Sequence, residues 1–126
     1  MTRPVPSRGR RNYDHGRTAE FLCRLALRLK GYQILAARYR TPLGEIDIIA
    51  ARGGTVAVIE VKARTSRDRA AAALHPQQQA RLHRAAHYLL SQRPELAHAT
   101  LRFDLMLVAP RRWPEHIVAA WSEITS

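Results

Sequence analysis

Gly44-Glu45-Ile46-Asp47-Ile48-Ile49-Ala50-Ala51-Arg52, then Gly53-Gly54, then Thr55-Val56-Ala57-Val58-Ile59-Glu60-Val61-Lys62-Ala63-Arg64, is the stretch on which the fold turns. Two runs rich in Ile, Val and Ala flank a glycine pair, the pattern of a short antiparallel hairpin. With a two-residue turn, Arg52 pairs with Thr55. Counting back places Asp47 opposite Glu60 and Glu45 opposite Lys62. Opposed residues share a face, with Cβ atoms about 4.5–5.5 Å apart. Strand alternation then gathers three carboxylates and one lysine on a single face, while Ile46, Ile48, Ile59 and Val61 pack the other. Like charges facing each other destabilise a sheet. A divalent cation removes that penalty, because hard cations take carboxylate oxygens as ligands. Lys62 alone neutralises one acid, not both Asp47 and Glu60. A bulge would slip the pairing by one and turn one set of side chains away. The alternative is an ion-pair ladder, with Glu45 bridged to Lys62 and the other two acids satisfied by arginines.

Working outward, Tyr32–Arg40 reads as a preceding strand, closed by a turn at Thr41-Pro42-Leu43-Gly44. Before it, Leu22, Leu25, Ala26 and Leu29 recur at helical spacing from about Gly16 to Lys30, with Gly31 as the helix C-terminal cap. Residues 1–13 hold Arg3, Arg8, Arg10 and Arg11 among Pro, Ser and Gly, a composition expected of a mobile basic arm. Residues 14–126 form a single domain by length. Downstream, Leu82, Ala85, Ala86, Leu89 and Leu90 predict a helix over 76–92, ended by Pro94. Leu101–Ala109 is apolar enough for a buried parallel strand, and His116–Trp121 adds an edge strand. A helix between two strands is the usual crossover joining parallel neighbours. The expected fold is therefore α/β, a mixed sheet with helices packed on it, in the core order helix, three strands, helix, strand.

Charge narrows the partners. Lys and Arg number 21 against 10 Asp and Glu, a formal charge of +11. Such an excess favours polyanions through counterion release from phosphates, so nucleic acid is the expected partner. Cys23, the single cysteine, excludes an internal disulfide and a cysteine zinc cage. No apolar run is long enough to cross a membrane and the N-terminus lacks a signal-peptide core, so the expected compartment is the cytoplasm.

Phosphodiester hydrolysis needs the groups found on the hairpin. A metal polarises the phosphate and lowers the pKa of a bound water. A lysine beside it orients that water or stabilises developing charge. Other residues read more plainly. His83 and His87 have zinc-compatible spacing but no third ligand, and are expected to be solvated or phosphate-facing. Tyr39 is expected half-buried, Trp113 and Trp121 in the core or an interface, and Cys23 in the core. Asp104, a carboxylate within an apolar strand, is costly unless paired, so it is either a structural partner for an arginine, the favoured reading, or a residue that supports the site from behind.

The segments Gly44–Ala50 and Val58–Arg64 closely resemble the signature of YraN-like bacterial proteins, which belong by similarity to the PD-(D/E)XK nuclease superfamily, related to archaeal Holliday-junction resolvases. Gly16, Glu20, Gly31-Tyr32, Gln79, Arg81, Leu82 and Arg102-Phe103-Asp104 match as well, so the resemblance covers roughly residues 14–108. It implies a restriction-endonuclease-like fold with Asp47 and Glu60 as metal ligands and Lys62 as the catalytic lysine. The Val61 carbonyl becomes a further ligand, and Glu20 and Gln79 complete or support the site. Two positions depart from the usual pattern. Gln78 stands where a lysine is usual, which removes a phosphate contact, and Ile46 replaces a proline, as is normal for YraN-like members.

The expected function is a Mg2+- or Mn2+-dependent endonuclease acting on DNA, with branched DNA the suggested form. Arg38, Arg40, Arg64, Arg67, Arg81 and the arm are expected to grip phosphates. Resolution of junctions needs two active sites, so a homodimer would fit. The rivals are a nucleic-acid-binding module that keeps the fold without cleavage, and a basic scaffold for an acidic protein.

Overall fold

The computed structural model describes residues 6–63 and 74–121, with side chains of the first helix described from Thr18 onward. In chain order these form α1 (Pro6–Leu29), β1 (Gln33–Thr41), β2 (Gly44–Arg52), β3 (Thr55–Ala63), α2 (Pro76–Gln92), a 3-10 turn (Pro94–Leu96), β4 (Thr100–Val108) and β5 (Glu115–Trp121). The strands make one mixed sheet in sequential order, antiparallel except for the parallel pair β3–β4. This mixed α/β architecture, a five-stranded sheet flanked by two helices, is compatible with a restriction-endonuclease-like fold. Among the described residues, no helix is long and apolar enough to cross a membrane.

Local chemistry sets the boundaries. Gly53 takes φ +60°, and the two-residue turn leaves Arg52 paired with Thr55, as the glycine pair predicts. Helix α2 begins at Pro76, whose missing N–H is no loss in a first turn. His75 caps it, its Nδ1 accepting the Gln77 N–H at 3.1 Å. Helix α1 starts at Pro6 rather than near Gly16, so its backbone runs through much of the stretch expected as an arm. Proline at a first helical position and several arginines, good helix formers, suit that extension.

Each helix covers one face of the sheet. On the α1 side, Cys23, Ala26 and Leu27 pack on Ile48, Ala50, Ala57, Ile59 and Met106. On the α2 side, Leu82, Ala85, Ala86 and Leu89 pack on Ile46, Ile49, Val56, Val58 and Phe103. Burial on both sides explains why β3 and β4 read as nearly continuous apolar runs.

Asp104 sits fully buried in β4 and ties β5 on. Its carboxylate accepts from Arg102 (2.9 and 2.8 Å) and from the Ala119 N–H (2.9 Å), and lies 2.8 Å from His116 Nε2. The Ala119 bond falls where the β4–β5 register shifts between Phe103 and Leu105, and Ala119 itself has φ +53°. Burial alone would raise this carboxyl; the bonds from His116, Arg102 and Ala119 outweigh it and hold it at about 2, against an ordinary 3.8. Removing the carboxylate leaves the Arg102 guanidinium and a strand N–H without their acceptor. Asp104→Ala should lower the unfolding free energy by about 3 kcal/mol at pH 7 in urea denaturation. A depressed pKa contributes stability above the unfolded value that vanishes as the folded value is passed. The gap between wild type and variant should therefore shrink between about pH 4 and 2. A variant as stable as wild type at neutral pH would refute the assignment.

Candidate active site

The β2–β3 ladder runs from Arg52↔Thr55 to Ile48↔Ile59 and stops there. Past that point β3 stays with β4, paired in parallel as far as Ala63↔Val108, while β2 continues alongside β1. The two strands thus separate just before the predicted pairing of Asp47 with Glu60. Asp47 bridges the opening, its Oδ2 accepting the Val61 N–H at 2.9 Å. A side-chain hydrogen bond joins Asp47 to Glu60. The two acids meet, as the hairpin count implies, but through their carboxyl groups at a diverging strand end.

Glu45 does not face Lys62. The β1–β2 register places it opposite Arg40, with Arg40 Nε 3.7 Å from Glu45 Oε2. The expected division of faces also changes. Ile46 packs with the α2 layer, whereas Ile48, Ile59 and Val61 pack with the α1 layer. Strict alternation would put Ile46 and Ile48 together, so β2 inverts its faces at Asp47. The neighbouring strand inverts with it. Ladder pairs Ala37↔Ile48 and Tyr39↔Ile46 leave Arg38 opposite Asp47, and Arg38 has φ +55°. A left-handed residue in one strand and a face change in the other form a joint kink, which frees Asp47 from the regular pleat.

The electrostatics follow from crowding acids under partial burial. Desolvation, the Asp47 charge and the hydrogen bond to Asp47 raise Glu60 to about 7, against the opposing pull of Lys62 and Arg81. Asp47 is raised too, first by burial and then by Glu20 and Glu45, although the Val61 N–H favours its charged form. Two acids that cannot comfortably ionise together hold a proton or await a cation. Lys62, two residues along β3 from Glu60, and Arg81 on α2 supply the nearby positive field. Cys23 is fully buried and its thiol is pushed up to about 12, chiefly by desolvation, so it is an inert core residue.

The other expected site residues divide. Glu20 is paired with Arg38 at 2.7 Å and reaches Asp47 as a neighbouring charge. Arg38, expected to grip phosphate, is thereby engaged with Glu20. Arg40 is 89 % exposed and only loosely held by Glu45, as a phosphate contact requires. Gln79 donates its amide to the Leu74 carbonyl at 3.0 Å, buttressing the chain entering α2. Arg64 and Arg67 lie outside the described residues. His83, expected to be solvated or phosphate-facing, is instead 7 % exposed; its ring tilts against Phe103 with centroids 4.4 Å apart and accepts the Trp121 Nε1–H at 3.0 Å. It is a core residue, because α2 turns it onto the sheet. Among the described residues no three His, Cys, Asp or Glu side chains gather into a metal cage.

One contact escapes the sequence altogether. The side chain of Arg81 lies against Gly44, close enough that a Cβ there would meet its Cδ at 2.9 Å. Gly44 reads in the sequence only as a turn residue.

The sequence profile of a family described as "Uncharacterised protein family UPF0102" matches residues 19–108, a span holding Glu20, Asp47, Glu60, Lys62 and Arg81. The chain belongs to that family. Relatives carrying the name UPF0102 protein occur in Parvibaculum lavamentivorans, 53 % identical over 116 residues, which covers 92 % of this chain and 87 % of that protein. Others occur in Chelativorans sp., 51 % identical over 85 % of this chain and 86 % of that one, and in Methylorubrum extorquens, 48 % identical over 96 % of each. The UPF0102 match therefore spans the strands and helices that build the acidic pair.

The raised pKa carries a sign. Glu60 holds its proton more tightly folded, near 7, than its ordinary 4.5. Its contribution to stability is complete below the unfolded value and is lost as the pH rises through the folded one. At pH 8 without added metal, Glu60→Gln should stabilise the protein by on the order of 1–2 kcal/mol, an advantage that disappears below about pH 4.5. Thermal unfolding in EDTA across that range measures it. Equal stability of the two proteins at every pH would show that the acids are not in conflict.

Proposed function

We propose that this UPF0102 protein is a Mg2+- or Mn2+-dependent endonuclease-like enzyme that hydrolyses phosphodiester bonds in DNA, akin to the PD-(D/E)XK nucleases that its hairpin resembles. The observation that carries it is the pair Asp47–Glu60, hydrogen-bonded where β2 and β3 diverge, beside the positive field of Lys62. Their donor set suits a hard cation, which would replace the proton that the two raised carboxyls compete for. Asp47 and Glu60 would hold the ion, with the Val61 carbonyl beside them and Glu20 in a supporting place held by Arg38. The ion, when bound, supplies Lewis-acid polarisation and a water of lowered pKa.

The chain's own groups do the rest. Asp47 and Glu60 restrain one another, and the Val61 N–H fixes Asp47, so little reorganisation remains when substrate arrives. Lys62 sets an ammonium next to Glu60, where it orients the attacking water or stabilises charge growing on the phosphate oxygens. Water oxygen bonds to phosphorus as a phosphorus–oxygen ester bond breaks. One DNA oxygen leaves with the water-derived proton. Arg40, exposed at the edge strand, and Arg81 on α2 would hold the flanking backbone. A homodimer would bring two such sites to a branched substrate, and the cytoplasm is the proposed setting.

The formal charge of +11 also fits a second function, a binding module that keeps the fold and cleaves nothing. Cleavage separates the two. Purified protein is incubated with linear and four-way-junction DNA in Mg2+, Mn2+ or EDTA. We expect product only with metal, and a loss of at least about a hundredfold in Asp47→Ala and Lys62→Ala, the scale of one removed electrostatic group. Mn2+ should raise the melting temperature of wild type at pH 8 but not that of Asp47→Ala. Product that survives both substitutions sinks the enzyme. Salt-sensitive DNA binding equal in all variants, without product, establishes the binding module.

A further inference from the structure

At the start of α2 lies an open cleft of about 440 Å³ lined, among the described residues, by His75, Gln77, Gln78 and Arg81, the last of which also lies against Gly44 of the β1–β2 turn and adds to the field at Glu60. The first backbone N–H groups of α2 do not make it a site, since they are already bonded. Gln77 N–H goes to His75 Nδ1, and Gln78 and Gln79 N–H go to the His75 carbonyl. What the cleft offers is side chains, and among the described residues of its lining the formal charge is the Arg81 guanidinium.

Arg81 is placed by a residue that contributes no side chain. Gly44 has φ +141°, and an added Cβ would stand 2.9, 3.0 and 3.1 Å from Arg81 Cδ, Cγ and Nε. All three nearest atoms belong to this one side chain. Contacts that short do not persist, so any residue with a Cβ would push the arginine stem off the turn. Held where it is, the guanidinium adds to the positive field felt by Glu60 while also lining the cleft. Its planar fork suits two oxygens of one phosphate, with the amides of Gln77 and Gln78 as further donors.

The geometry points to the cleft as a subsite for a DNA backbone phosphate next to the cleaved one, gripped by Arg81, with Gly44 as the positioning residue that keeps Arg81 over it. This rests on the proposed action on DNA and names the residues that seat the strand. The glutamine at position 78, where the YraN-like family usually has a lysine, leaves Arg81 as the cation among the described residues of the lining. An open, polar cleft that shares Arg81 with the acids suits a continuous strand rather than an enclosed small molecule.

A double-mutant cycle tests it. Affinity for a short labelled DNA duplex is measured in EDTA over a range of salt, with melting temperatures alongside. Arg81→Ala should weaken binding about tenfold and lower the salt slope by about 1, as one lost phosphate contact does. Gly44→Ala should cause a similar loss. Arg81→Ala with Gly44→Ala should bind no worse than Arg81→Ala alone, because the crowded side chain is already gone. Backbone strain from φ +141° should lower the melting temperature equally in both proteins that carry Gly44→Ala, which separates folding from binding. If Gly44→Ala does not fold, Arg81→Gln should lose as much affinity as Arg81→Ala, while Arg81→Lys, which keeps the charge but not the planar fork, recovers only part of it. Wild-type affinity in Arg81→Ala, or fully additive losses in the cycle, overturns the subsite. Wild type that never cleaves, yet binds through Arg81 and Gly44 as described, removes the nuclease and keeps the subsite. Wild type that cleaves with an unchanged KM in Arg81→Ala removes the subsite alone.

Discussion

Where β2 and β3 separate, a strand N–H on Val61 loses its ladder acceptor, and the carboxylate of Asp47 takes it at 2.9 Å. An unpaired buried N–H is costly, so a side chain that supplies the acceptor both permits the divergence and fixes its own position. Much of the site depends on that substitution. It lets β3 stay with β4 while β2 stays with β1, it opens the sheet at one end, and it leaves Glu60 beside an acid rather than a backbone partner. The kink at Arg38 and Asp47 belongs to the same event. Both strands change face together there, which keeps their ladder intact on either side of the break.

A second carboxylate in the molecule solves the same backbone problem to the opposite electrostatic end. Asp104 accepts the Ala119 N–H where β4 and β5 lose register, as Asp47 accepts that of Val61. Asp104, however, has Arg102 and His116 against it, and its carboxyl falls to about 2. Asp47 is desolvated and feels the fields of Glu20 and Glu45, and its carboxyl rises despite its bonds to the Val61 N–H and to Glu60. One acid is fully compensated and serves the fold. The other is left short of positive charge, the condition in which burial and like charges mark a reactive site. Arg102 extends the compensated network further, donating to the Tyr32 hydroxyl, so that strand end is sealed rather than poised.

Elements with strong periodicity are legible from the residues. The helix over 76–92 and the Gly53-Gly54 turn appear at the predicted positions, and the parallel β3–β4 pair follows from the crossover rule. Asp104 with Arg102 is legible because a buried carboxylate requires a partner. The local reading fails where a residue's surroundings are set by neighbours distant in sequence. Spacing to His87 makes His83 look solvated, but Trp121 and Phe103 decide its surroundings. A uniform hairpin assigns Glu45 to Lys62, but the β2–β3 ladder ends at Ile48↔Ile59, and the ion pair of Glu45 is with Arg40 on β1. The start of α1 lies earlier than the pattern indicates, because a polar arginine-rich stretch has no apolar stripe to announce a helix.

By itself the sequence determined the order of elements, the turn and the convergence of Asp47 and Glu60, since these follow from alternation, helical spacing and glycine chemistry over short distances. Only the tertiary structure decided how those acids meet. A strand can follow one neighbour or another with nearly equal backbone bonding, and the packing of α1 and α2 on opposite faces determines which one wins. That choice separates β2 from β3, turns Asp47 out of the pleat and lays Arg81 over Gly44, none of which is written in any local pattern.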